Sequence, residues 1–130
     1  NTDPAVPKSF PLYTEALKFF RHKESMVRAG VRTLTLSVYS IRDDLVKNFV
    51  LAKPACDYFR HLAMYLCEQC QLLDTSLLAA ESSSSNFSAD TLDNVLAEVE
   101  DVLVYCNDVL CTACDEVSDE LARRIWGDFL

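Results

Sequence analysis

Only two glycines, Gly30 and Gly127, interrupt the chain, and along most of it apolar residues return at alternating steps of three and four. That spacing gathers side chains on one face of a helix, whereas a half-buried strand needs alternation at every second residue. No β-branched alternating run bounded by turn residues occurs. The fold class read from the pattern is therefore all-α. Half of the 130 residues are hydrophobic, which suits a single domain over residues 1–130 that buries roughly two-thirds of its unfolded surface without staples.

The spacing predicts a short first helix from Pro11, in whose first turn a missing N–H costs nothing, running to the charged segment RHKE. A second helix starts near Glu24 or Ser25 with a stripe of Val27, Val31, Leu34, Val38 and Ile41. Gly30 in its middle costs about 1 kcal/mol relative to alanine, so close approach of a neighbouring helix is expected there. Residues 43–52 supply a third helix opened by acids. The fourth starts at Pro54 with a stripe of Phe59, Leu62, Leu66, Cys70, Leu73 and Leu77. A flexible serine-rich loop is expected over 81–90, ending in Asp90 as a helix cap. The fifth helix carries Leu92, Leu96, Val99, Leu103, Cys106, Leu110, Ala113 and Val117, with a break near Val117 or Ser118. The tail after it is expected to bury Leu121, Ile125, Trp126 and Phe129. Antiparallel helices of unequal length give a stack of helical repeats or a bundle.

Charge is unevenly spread. Residues 61–122 hold thirteen acids and no lysine or arginine, whereas ten of the twelve cations lie in residues 1–60. Lys18, Arg21, Arg28 and Arg32 form a candidate basic surface for an acidic partner or anionic headgroups, with Tyr13 and Phe20 as aromatic anchors. In the plainer reading, Arg28 and Arg32 pair with acids on an adjacent helix. An acidic half without interleaved basic and aromatic residues argues against nucleic acid. No glycine-rich phosphate loop, HExxH or GxSxG occurs, so neither catalysis nor a small-molecule substrate is expected.

CEQC at 67–70 and CTAC at 111–114 raise a second possibility, a zinc site of Cys67, Cys70, Cys111 and Cys114. Zinc knuckles favour tight turns, and both pairs continue a helical period, so cysteines packed beside a buried stripe are the simpler expectation.

The stretch FPLYTEALKFFRHKESMVRAGVRTLTLSVYSI at 10–41 closely resembles the FPL domain, the N-terminal domain of the endosomal-maturation-defective family. The resemblance rests on Phe10, Pro11 and Leu12, on Tyr13 to Ala16, on Phe19 and Phe20, and on the blocks Glu24–Arg28 and Val31–Thr33. Looser similarity continues through YFRHLAMYL, YCNDVL and DELARRIWGDFL. It implies an armadillo-like or HEAT-like helical scaffold without enzymatic activity or cofactor. It also implies protein partners in vesicle-tethering machinery, and a cytoplasmic place at endosomal or Golgi membranes in lysosomal traffic and autophagy.

Overall fold

A computed structural model describes residues 9–82 and 89–129. Six helices occupy them: α1 (Pro11–Leu17), α2 (Ser25–Tyr39), α3 (Asp44–Leu51), α4 (Asp57–Ser82), α5 (Ala89–Thr112) and α6 (Asp115–Arg124), followed by a π-helical turn at Ile125–Phe129. No strand occurs among the described residues. Local chemistry sets several ends. Pro11 takes the first position of α1, the carboxylate of Asp43 accepts from the Leu45 amide at 2.7 Å to cap α3, and α6 opens on Asp115 and Glu116 and closes on Arg123 and Arg124.

The long helices α4 and α5 form an antiparallel pair. Tyr58 meets Tyr105 and Tyr65 meets Glu98, so one number falls as the other rises. Against α5 lies α2, running parallel to it, because Arg32, Thr35 and Arg42 reach Glu98, Tyr105 and the Thr112 carbonyl in the same order. The α1 helix packs on α2, and α6 with the π-helical turn packs against α4, with α6 also touching α5 and α3. The all-α expectation stands, as stacked helices in which α4 and α5 form the central pair.

The buried cluster includes Tyr13, Val38, Tyr39, Phe59, Leu62, Leu66, Val102, Val109 and Leu121. Hydroxyls run through it in pairs. Tyr13 bonds Tyr39 at 2.7 Å, while Tyr105 takes both Tyr58 at 2.8 Å and Thr35 at 2.6 Å. A buried hydroxyl left without a partner costs about 1–3 kcal/mol, so these pairs restrict which helix faces can meet.

Several local expectations are corrected. In α5 the buried face holds Val99, Val102, Tyr105, Cys106 and Val109, continued by Ala113 just past its end, whereas Leu96, Leu103 and Leu110 are exposed. Two overlapping three-and-four registers share Val99, Cys106 and Ala113, and the one that also sinks Tyr105 against two hydroxyl partners is adopted. In α2, Val31 and Val38 are buried as expected, but Val27 and Ile41 lie outside and Thr35 and Tyr39 are buried instead. In α4, Leu77 is exposed, while Tyr58, Ala63 and Tyr65 widen the buried face because α5, α6 and the π-helical turn all pack against α4.

Ends also differ. The first helix stops at Leu17, Pro54 sits in the turn before α4, and Glu81, Ser82 and Asp90 belong to helices. Asp90 is thus an acid in the first turn of α5 rather than its cap. The remainder of the expected serine-rich loop, 83–88, lies outside the described residues. The break after α5 comes at Ala113 and Cys114, earlier than expected, where the Ser118 hydroxyl donates to the Leu110 carbonyl at 3.1 Å and Arg42 to that of Thr112 at 2.6 Å. Both bonds satisfy carbonyls that the end of a helix leaves open. Trp126 is exposed in the π-helical turn, whereas Leu121 is fully buried and Ile125 partly so. The side chain of Phe129 is outside the described residues.

Gly30 has nothing within 4 Å of the place where a Cβ would stand, so no helix approaches it closely. Gly30→Ala should therefore stabilise the chain by about 0.5–1 kcal/mol in urea unfolding. The α5 register is checked by a pair of substitutions. Val102→Ala should cost about 2 kcal/mol, whereas Leu103→Ala should cost less than about 1 kcal/mol.

Candidate interaction site between α2 and α5

Arg28, Arg32 and Thr35 follow one another at steps of four and three and so share a face of α2. That face meets Glu98 and Tyr105, which are seven residues apart on α5. Arg32 Nη2 donates to Glu98 Oε2 at 2.8 Å, and Arg28 Nη2 reaches Oε1 at 3.3 Å. The Arg28 Nε lies 3.1 Å from Oε2, within ion-pair range but without hydrogen-bond alignment. From α4, the Tyr65 hydroxyl donates to Oε2 at 2.5 Å. Arg28 also donates to the carbonyls of His22 and Lys23 at 2.7 and 2.9 Å, tying the α1–α2 connection to the same point. The three charged side chains are only 11–15% exposed.

Burial alone would raise the ionisation point of Glu98. The hydrogen bonds from Arg32 and Tyr65 and the charges of Arg32 and Arg28 outweigh it, and the carboxyl is held below its ordinary value of 4.5. Burial, then the bond to Glu98 and the charge behind it, pushes Tyr65 up to about 12. Burial opposes the charge on Arg32, yet its bond to Glu98 and the carboxylate's charge raise its ionisation point.

The basic shoulder read from the sequence is thus divided. Arg28 and Arg32 are turned onto Glu98, as the plainer reading had it. Lys18 pairs with Glu15 at 2.8 Å on the surface, and Arg21 reaches Glu68 at 2.5 Å while its guanidinium lies 5.0 Å from the Tyr65 ring centre. Neither aromatic residue is presented as an anchor. Tyr13 is fully buried, because its ring and hydroxyl both find Tyr39, and Phe20 stands edge-on to Tyr58 and Tyr65. Glu98, Tyr65, Thr35 and Tyr105 complete the cluster and are not among the residues expected from the sequence. Two arginines on one helix face call for an acid on a facing helix, and that signal was present.

The four cysteines of the zinc reading are not brought together. In the antiparallel register Cys67 of α4 lies level with residue 96 of α5, fifteen residues before Cys111, which separates the pairs by about 22 Å along the axis. Among the described residues no group of three or more His, Cys, Asp or Glu side chains could hold a metal. Cys111 is exposed, Cys114 opens α6 at the helix break, and burial pushes the Cys106 thiol up to about 12. Burial, followed by Cys67 and Asp74, raises Cys70. The break explains why CTAC, read as one continuous helix, is divided between two.

Beside the Glu98 cluster a groove of about 350 Å³ opens between α2 and α5, lined by Ala29, Leu36, Val104, Tyr105, Asp101 and Asp108, among others. Among the described residues no helix is long and apolar enough to cross a membrane.

Removing the shared carboxylate should be costly. Glu98→Ala leaves two arginines largely buried without their counter-charge, with an expected loss of about 3–5 kcal/mol in denaturant unfolding. A carboxyl held below its ordinary value contributes stability above that value, and the contribution is lost as pH falls through the depressed folded one. Wild-type stability should consequently fall on acidification below about 4.5, and Glu98→Gln should flatten that limb.

The FPL family, described as an uncharacterised conserved protein, matches residues 5–39. TRANSPARENT TESTA 9 of Arabidopsis thaliana is 35% identical over 124 residues, which are 95% of this chain and 15% of that protein. The CLEC16A homolog of Drosophila melanogaster is 37% identical over 116 residues, and CLEC16A of Homo sapiens 37% over 118, each covering 89% of this chain and 11% of the relative. The chain therefore spans only 11–15% of the length of these curated relatives. No solved structure matches it.

Proposed function

We propose that this chain, which belongs to the CLEC16A family and carries its FPL segment, is a non-catalytic helical scaffold that acts in membrane trafficking through protein contacts. The observation that carries the reading is similarity to CLEC16A over 89% of the chain at 37% identity. At that level the helices and the buried positions of a domain are retained together, which supports carrying the proposed role across. The setting proposed is the cytoplasmic face of endosomal or Golgi membranes, in lysosomal maturation and autophagy, with vesicle-tethering proteins as partners and no cofactor.

The architecture supports a binding role. Helices in stacked layers present grooves between neighbours, and α2 and α5 form one. On the surface, Lys18 and Arg21 stay within reach of an acidic partner or anionic headgroups, although each already has an acid beside it. Surface pairs of this kind are worth about 0–1 kcal/mol and can be exchanged for a partner's charge at little cost.

Proximity labelling from the full-length protein in its source cell tests the reading. Enrichment of vesicle-tethering and endosomal or Golgi proteins is expected. A neighbour set without them would overturn the assignment to trafficking.

A further inference from the structure

We propose that the groove between α2 and α5 docks a basic amphipathic helix of a partner protein. The inference deepens the scaffold reading and rests on it. The apolar floor comes from Ala29 and Leu36 on α2 and from Val104 and Tyr105 on α5. Val104 is 59% exposed although it is apolar and lies mid-helix. The α2 wall is low, being built of the short side chains of Ser25 and Thr33, so a helix can come close.

Charge selects the occupant. Four charged side chains line the groove, Arg32, Glu98, Asp101 and Asp108. Arg32 and Glu98 are bonded to each other. Asp101 and Asp108 have no hydrogen bond or ion pair among the described residues. They stand seven residues apart on α5, about 10 Å along its axis. A helix laid in the groove with lysine or arginine two turns apart brings a cation to each, while its apolar face covers Val104 and Leu36. On the α5 side the surface favours the same partner, because α5 itself holds no lysine or arginine. The sequence suggested a basic surface for an acidic partner; with both arginines engaged by Glu98, the carboxylates left over at this groove invert that preference.

The test uses a labelled leucine–lysine peptide about five turns long, with leucine on one helical face and lysine on its flanks, and a control with glutamate in place of each lysine. Each is titrated into the 130-residue chain by fluorescence anisotropy. Saturable binding of the lysine peptide alone is expected, with a roughly tenfold loss in the double variant Asp101→Lys, Asp108→Lys. The double variant Asp74→Lys, Asp119→Lys changes net charge equally away from the groove and should retain binding. If the groove variant fails to fold by circular dichroism, Asp101→Asn with Asp108→Asn carries the test, with a loss of about threefold.

Absence of binding, equal losses in both lysine variants, or self-association abolished by Val104→Glu would each overturn the proposal. The groove and the trafficking assignment fail separately. Trafficking neighbours in proximity labelling without peptide binding would remove only the groove. Groove-dependent peptide binding without such neighbours would remove only the assignment.

Discussion

Three parts of the molecule converge on the carboxylate of Glu98. It receives α2 through Arg28 and Arg32, α4 through the Tyr65 hydroxyl, and the α1–α2 connection through the carbonyls that Arg28 also holds. Hydrophobic burial is tolerant of small slides between helices, because one methyl group serves nearly as well as another. A buried ion cluster is not tolerant, since a slide of one turn would leave charges without partners in a poorly solvated place. Two turns further along α5, Tyr105 repeats the constraint in neutral form with Thr35 and Tyr58. The two points together fix both the rotation and the register of α2, α4 and α5.

How much of this was legible in the sequence depended on the kind of information needed. Helix identity was written in the three-and-four spacing, and the α3 cap and the Pro11 start were written in local chemistry. The choice between two overlapping stripes on α5 was not local. Leu96, Leu103 and Leu110 are as apolar as Val99, Val102 and Val109, and only the partners of Glu98 and Tyr105 on other helices decide which set turns inward. The break at Ala113 and Cys114 was hidden for a related reason. Neither glycine nor proline marks it, and it is stabilised from a distance by Ser118 and Arg42.

The candidate site depends on distant partners in the same way. Positive charge was visible along α2, but whether an arginine faces solvent or a neighbour depends on a residue about seventy positions away. Once Arg28 and Arg32 are spoken for, the α2–α5 surface keeps its acids and an uncovered valine. The distribution of charge along a chain therefore says little about a surface until pairing within the fold has been subtracted.

All five tyrosines, Tyr13, Tyr39, Tyr58, Tyr65 and Tyr105, lie in the buried set. Their hydroxyls bond one another, Thr35 or Glu98. A kinase, a nitrating species or an iodinating reagent must take a phenol into its own reach, and the folded domain offers none. Any such mark found on these positions in a cell was laid down on a nascent, opened or damaged chain. Once there, a phosphate on Tyr105 or Tyr65 would bar the way back to the folded state.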